Sequence, residues 1–318
     1  MLWLVCDLFE NGKGNDALPC DKILYITDVL SATKAPVTNN DIVVFSVNED
    51  GMHYAKSIKM TVLQIQEACV VVRNAILEKA PQVSIYNDPA HILSIGDKFK
   101  TYKQLQYTSP HIVPLFCDGK DAKSWSLFPC IVAAKVASGG RFRHLVNSKE
   151  DIAFKTRCIT AAKGANGAFV SEYVHSYVEQ LGFYINVRLM VVNDQVIDWF
   201  CRPGDTWNIH TKTQKKGSLA TANEWYMQWV SHHENKQRVC DVVTSVHQTF
   251  GNGLYSIDCA IDKTRIAVCE VGYKIWDDTV AYKITEITKP THNKTLYGSM
   301  LDSAIKGSVK KGKKELLL

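Results

Sequence analysis

The chain has 318 residues, 46% of them hydrophobic and 22% charged, and carries a formal net charge of +5. That length buries a full core and suits roughly two domains. The composition is that of an ordinary soluble globular protein, and no apolar run approaches the ~18–20 residues that span a bilayer.

Taken in chain order, the start MLWLVCD is too short an apolar run for a secretory signal and meets Asp7 at once. Residues 2–6, 23–26, 42–47 and 83–86 read as short buried strands. Between the last two, Ile58, Val62, Ile65, Cys69, Val72 and Ile76 form one apolar helical stripe, with Pro81 after its end. Strands alternating with helices predict a small α/β sheet domain. The cluster at 9–16, FENGKGND, is a Gly/Asn turn without the spacing of a P-loop.

Asn87-Asp88-Pro89 closes this region, and Asp97 starts a short helix carrying Phe99, Tyr102 and Leu105. Strands are expected at 111–116 and 130–136. A helix follows, capped at Asn147 or Ser148, with Ile152, Cys158, Ile159 and Ala162 inward and Gly164 as its stop. A strand at 168–174 comes next. The pattern then turns antiparallel at 187–192 and 196–200, ahead of a polar loop from 202 to 218. A long helical segment buries Val239, Val242, Val243, Val246 and Phe250 and stops at Gly251. Two further strands form a hairpin about Asp262, Lys263 and Thr264. The tail lysines Lys306, Lys310, Lys311, Lys313 and Lys314 read as a solvated segment, ahead of any role in nucleic-acid binding.

The 10 cysteines contain no Cys-x-x-Cys and fall singly, mostly within apolar runs (Cys69, Cys130, Cys158, Cys259, Cys269). That is the pattern of buried free thiols in a reducing cytoplasm, not of a disulfide framework or a zinc site. His232-His233 read as surface residues, since neighbours on a helix point about 100° apart.

Chemistry concentrates on a few positions. Asp258 in YSIDCAID and Glu270 in IAVCEVGYK lie on adjacent predicted strands, where two carboxylates can hold a hard cation such as Mg²⁺. Lys135 leaves an apolar strand just before Ser138-Gly139-Gly140, followed by Arg141 and Arg143. A lysine there can meet a phosphate as a point charge, and the glycines can fold over it; alone, the stretch is equally an ordinary basic turn. Glu172, Tyr173 and Val174 end a strand whose backbone can meet an adenine edge, with Glu179 nearby for ribose hydroxyls. Arg188 sits inside the strand NVRLMVV, where its charge calls for an ion pair or an anionic ligand. Arg202, Asn208, His210, Lys212, Lys215 and Lys216 crowd one loop, a cationic set suited to a triphosphate or a carboxylate, though the later lysines alone read as solvated.

In this order the segments resemble the ATP-grasp superfamily, nearest its ribosomal-protein glutamate ligase and glutathione synthetase branch. The likeness runs over roughly residues 90 to 275: Lys98 in IGDKFK, Lys135, the loop at Gly139 and Gly140, the Glu172-Tyr173-Val174 hinge, Asn186-Val187-Arg188, Arg202, Asn208 and His210 in WNIH, then Asp258 and Glu270-Val271-Gly272. It implies an α/β ATP-grasp fold: an N-terminal α/β domain at 1–95, a central lobe at 96–175, a C-terminal lobe with the metal site at 176–305, and a basic tail at 306–318.

The implied activity is an ADP-forming carboxylate–amine ligase working through an acyl phosphate. ATP and one or two Mg²⁺ ions serve it, and the substrates are a carboxylate and an amine, small molecules or peptide. No membrane partner is expected, and self-association is open. Arg188, Arg202, Asn208 and His210 would be catalytic. Lys98, Lys135, Gly139, Gly140, Glu172, Tyr173, Val174, Glu179 and Lys212 would bind nucleotide, and Asp258 and Glu270 the metal. Asn186 stands where the family has Asp, and Gly272 where it has a metal-binding Asn. That second departure leaves room for a decayed ATP-binding scaffold, and the same lobes could serve a kinase acting on a hydroxyl.

Overall fold

The computed structural model describes residues 1–6, 22–25, 37–46, 62–137, 141–163, 167–209, 213–262 and 264–273. The turn cluster at 9–16, Gly139, Gly140, Gly164, His210, Lys212, Lys263 and the basic tail lie outside them.

The described strands form three sheets. The first has β1 (Leu2–Cys6), β2 (Lys22–Tyr25), β3 (Ile42–Ser46) and β4 (Ser84–Tyr86) in the order β2-β1-β3-β4, all parallel. Helix α1 (Val62–Lys79) connects β3 to β4 and buries Cys69, Val72 and Ile76 beneath the sheet with Val43 and Phe45. The expected stripe thus becomes this helix from Val62 on, and Ile58 lies outside the described residues.

After the short α2 (Ile92–Ile95), Asp97 caps α3 (Lys98–Thr108) by accepting from the amides of Phe99 and Lys100 at 3.0 and 3.1 Å. The strand expected at 111–116 is not one. Pro110–Ile112 is a 3-10 turn, and β5 is Phe116–Asp118. Proline favours the first turn of a helix and takes away the ladder donor a strand would need at Pro114. Ile112 and Val113 are buried without belonging to a sheet.

The second sheet, the central one in chain order, is antiparallel, in the order β5-β8-β6-β7, with β6 (Cys130–Ala134), β7 (Arg143–Val146) and β8 (Ala168–Glu172). Helix α4 (Lys149–Lys163) covers it, and the Ser148 hydroxyl accepts from the Asp151 amide at 3.1 Å. Ile152 and Ile159, seven residues apart, are its buried positions, whereas Cys158 and Ala162 are exposed. Six and ten residues from Ile152 correspond to 240° and 280° around a helix, off the face that seven residues return to.

The third sheet runs β11-β10-β12-β13, with β10 (Phe183–Val192), β11 (Gln195–Gly204), β12 (Leu254–Ile261) and β13 (Ile266–Gly272) antiparallel and β9 (Tyr177–Val178) added beside β10. Helices α5 (Leu219–Ser231) and α6 (His233–Phe250) pack behind it. Val239, Val242, Val243, Val246 and Phe250 are fully buried, and Gly251 ends α6 at φ 77°. The expected single helical segment is therefore two helices that break at His232.

Arg202 belongs to β11 and not to the polar loop expected from 202. Pro203 lies in the same strand, which is the edge of its sheet, where a missing amide costs no ladder bond.

Candidate functional site

Strand alternation and register bring four charged side chains together on the third sheet. Arg188 on β10 stands opposite Asp258 on β12, Asp258 stands opposite Glu270 on β13, and Asn186 on β10 stands opposite Arg202 on β11. Arg188 grips Asp258 with both arms: Nε to Oδ1 at 2.6 Å and Nη2 to Oδ2 at 2.8 Å. Arg202 Nη1 donates to the same Oδ2 at 3.0 Å. Bidentate pairing is the strong form of this interaction, and it satisfies a strand charge that would otherwise be costly.

Burial by itself would raise the Asp258 carboxyl. The charges of Arg188 and Arg202, with their hydrogen bonds, outweigh it and hold the group well below the usual carboxylate range. Burial draws the Arg202 guanidinium down from its ordinary value, against the pull of Asp258. Arg202 Nε is buried without a hydrogen-bond partner among the described residues.

The two lysines stand where the central sheet meets the third. The Lys98 amide donates to the Lys135 carbonyl at 2.9 Å, so the start of α3 is fastened to the end of β6. Lys98 Nζ donates to the Ala137 carbonyl at 2.7 Å and lies 3.3 Å from Glu270 Oε2. Lys135 is 7% exposed, with its Nζ 2.8 Å from Asp118 Oδ2 and 4.6 Å from the centre of the Phe99 ring. Burial works to raise the Asp118 carboxyl, but its bonds from Lys135 and from the Lys120 amide leave it below its ordinary value.

A pocket opens between the two sheets. Ile131 and Arg143 of the central sheet, Ala260 and Cys269 of the third, Tyr102 of α3 and the Ser171–Val174 stretch line it, with Asn186 and Trp207. The wall is mixed, with Ile131, Val174, Ala260 and Cys269 giving apolar surface beside the polar Arg143, Ser171 and Glu172, and burial pushes the Cys269 thiol up to about 11, which makes it an inert part of that wall. The Tyr102 hydroxyl donates to the Cys269 carbonyl at 3.1 Å, tying α3 to β13.

Of the expected hinge residues, Tyr173 and Val174 line the pocket just past the end of β8. Glu172 lines it too, but its groups are engaged. Its amide donates to the Leu115 carbonyl at 2.8 Å, and its carboxylate accepts from the Leu115 amide and pairs with Arg265 of the β12–β13 turn. Glu179 is exposed in the turn after β9 and does not line the pocket. Asn208 is half-buried, and its carbonyl accepts from the Thr213 hydroxyl at 3.1 Å. Lys215 is half-buried and paired with the exposed Asp205 at 2.8 Å. His232 and His233 are exposed, as expected.

Sequence reasoning missed Asp118, Trp207 and Arg265. Arg143 reaches across from β7 to within 5.5 Å of the Trp207 ring centre. Trp207 immediately precedes Asn208 in WNIH, so the motif carried a signal for it; nothing local marks Asp118 as the partner of Lys135.

Asp258 and Glu270 keep part of their donor capacity for a magnesium ion. A carboxylate offers about four lone-pair sites, and the arginines use three of those on Asp258. Oδ1 keeps one, and Glu270 is 41% exposed with Oε1 free of any bond described. Two hard oxygen donors fit an ion that takes its other ligands from phosphates and water. No group of three or more His, Cys, Asp or Glu among the described residues is placed to hold a metal by itself.

No family model and no curated protein matches the sequence. Solved structures do. A RimK domain ATP-grasp protein from Sphaerobacter thermophilus matches at 12% identity and TM-score 0.50, over 95% of this chain and 98% of that one. The ATP-grasp ligase PsnB, bound to its minimal precursor, matches at 13% identity and TM-score 0.58, over 96% and 98%. D-alanine–D-alanine ligase from Bacillus anthracis matches at 12% identity and TM-score 0.52, over 97% of each chain. PsnB is also known with minimal precursor, Mg and ADP together. The chain has the ATP-grasp fold.

Proposed function

We propose that this protein is an ATP-dependent carboxylate–amine ligase, and that its site lies in the cleft between the central and third sheets. The observation that carries the reading is the row Arg202, Arg188, Asp258, Glu270 and Lys98. It lies beside the pocket, which Asn186 and Cys269 of the same strands help to line, and Arg202 Nε is a buried donor with no partner among the described residues. A buried guanidinium donor left without a partner costs free energy, which an anion arriving in the cleft would recover.

In this reading the base lies against Tyr173, Val174, Ile131 and Cys269. Lys98 and Lys135 neutralise the α- and β-phosphates, the loop holding Gly139 and Gly140 excludes water, and Glu179 and Lys212 serve the outer part of the nucleotide. Asp258 and Glu270 would hold Mg²⁺, which when bound neutralises charge on the β- and γ-phosphates. Arg188 and Arg202 stabilise the transferring phosphoryl group, and Asn208 and His210 orient the acceptor.

A substrate carboxylate oxygen attacks the γ-phosphorus, the bond to ADP breaks, and an acyl phosphate forms. An amine nitrogen then attacks the acyl carbon, phosphate leaves with its electron pair, and the nitrogen loses its proton to solvent or a base. The likeness to ligases for peptide precursors and for D-alanine supports either kind of substrate. The cysteines of the described residues are all free, which favours a reducing compartment such as the cytoplasm.

The test is product stoichiometry with a panel of carboxylates and amines. A ligase releases one phosphate per ADP and needs the amine. ADP without free phosphate identifies a kinase. No turnover in either wild type or Gly272→Asn, with nucleotide still bound, identifies a scaffold.

A further inference from the structure

The arginines that serve catalysis in the reading above also occupy the metal carboxylate. Oδ2 of Asp258 accepts from both Arg188 and Arg202, and Oδ1 accepts from Arg188. Glu270 Oε2 faces the Lys98 ammonium at 3.3 Å. Three cations therefore surround two carboxylates, and the cluster carries positive charge in excess. A bare divalent cation arriving here would give up part of its hydration shell to meet one lone pair on Asp258 and two guanidiniums beside it.

A polyphosphate changes both terms. It can accept from Arg202 Nε, a buried donor with no partner among the described residues. As Arg202 turns its donors to phosphate, the Oδ2 lone pair it held is released, and phosphate charge offsets the excess at the same moment.

We propose that Arg188 and Arg202 close Asp258 to free divalent cations, so that the metal enters the site only together with a polyphosphate. The inference rests on the ligase reading for its polyphosphate half alone; exclusion of free metal follows from the clamp itself.

Mn²⁺ is the probe, with its free signal read by electron paramagnetic resonance. Wild-type protein alone should leave the Mn²⁺ signal as in buffer. Arg202→Gln should bind Mn²⁺ at least about tenfold more tightly without nucleotide, since a unit charge within a few ångström of the ion is removed. The gain should vanish in the Arg202→Gln, Asp258→Asn double variant. Wild-type binding of Mn²⁺ that Asp258→Asn abolishes would overturn the proposal, and so would no gain in a folded Arg202→Gln. If that variant does not fold, Arg202→Met, which removes the charge and keeps the apolar stem packed, replaces it: tighter Mn²⁺ supports the proposal and unchanged Mn²⁺ overturns it. Adding a non-hydrolysable ATP analogue to wild type should draw Mn²⁺ onto the protein. Failure of the analogue to bind under any metal condition would strike the ligase reading, with the nucleotide-free results still deciding the clamp.

Discussion

The central and third sheets each place a buried cation–anion pair at the cleft, and the two pairs are built differently. On the central sheet, Lys135 meets Asp118 by one bond from a point-charge ammonium at the end of a strand. On the third, Asp258 sits mid-strand and is held by three bonds from two planar guanidiniums. A single ammonium contact can be exchanged for a phosphate oxygen with little rearrangement. A bidentate clamp is fixed in advance by sheet register and yields only when a better anion arrives. In the proposed ligase reading, the central sheet would capture nucleotide and the third would hold geometry for the transferring group.

Breaking the stronger side should have the largest effect. Asp258→Ala leaves two guanidiniums buried without their counter-charge and should cost about 3–5 kcal/mol of stability, read by denaturant unfolding. Lys135→Ala should instead act on binding, weakening an ATP analogue by about 1.5–3 kcal/mol, or roughly ten- to hundredfold in Kd, while unfolding shifts less than for Asp258→Ala. Equal losses of stability from the two variants would erase the contrast.

Acid should sharpen the contrast. The folded Asp258 carboxyl titrates below its unfolded value of about 3.9, so its stabilisation is complete above that value and is lost as pH falls through the folded one. Asp258→Asn should therefore flatten the decline of stability below about pH 4 in an acid titration followed by circular dichroism. The partly exposed Glu172–Arg265 pair should matter less: Arg265→Ala is expected to cost about 1 kcal/mol or less. Lys215→Ala, which breaks the exposed pair with Asp205, should fall within about 0.5 kcal/mol and serves as the baseline.

What the sequence disclosed follows the same division. Strand alternation made two adjacent acid-bearing strands readable, but Glu270 stands opposite Asp258 only because the register shifts at a bulge between Asp258 and Cys259, which the turn does not announce. It also marked Arg188 as a charge needing a partner. The position of Arg202 was misread because Pro203 and Gly204 look like strand breakers; only the sheet order makes β11 an edge strand that tolerates them. The apolar run at 111–116 misled for the opposite reason, since its burial comes from tertiary packing around a 3-10 turn. Partners far apart in sequence, such as Asp118 for Lys135 and Trp207 for Arg143, arise only when the two sheets meet and leave no local periodicity to find.

The account stands most directly on whether this cleft binds nucleotide through its lysine. Calorimetric titration of wild type and Lys135→Ala with a non-hydrolysable ATP analogue and Mg²⁺ measures that. The account predicts saturable one-site binding by wild type that is weakened at least about tenfold in the variant. No binding by folded wild-type protein, or equal binding by both, would contradict it.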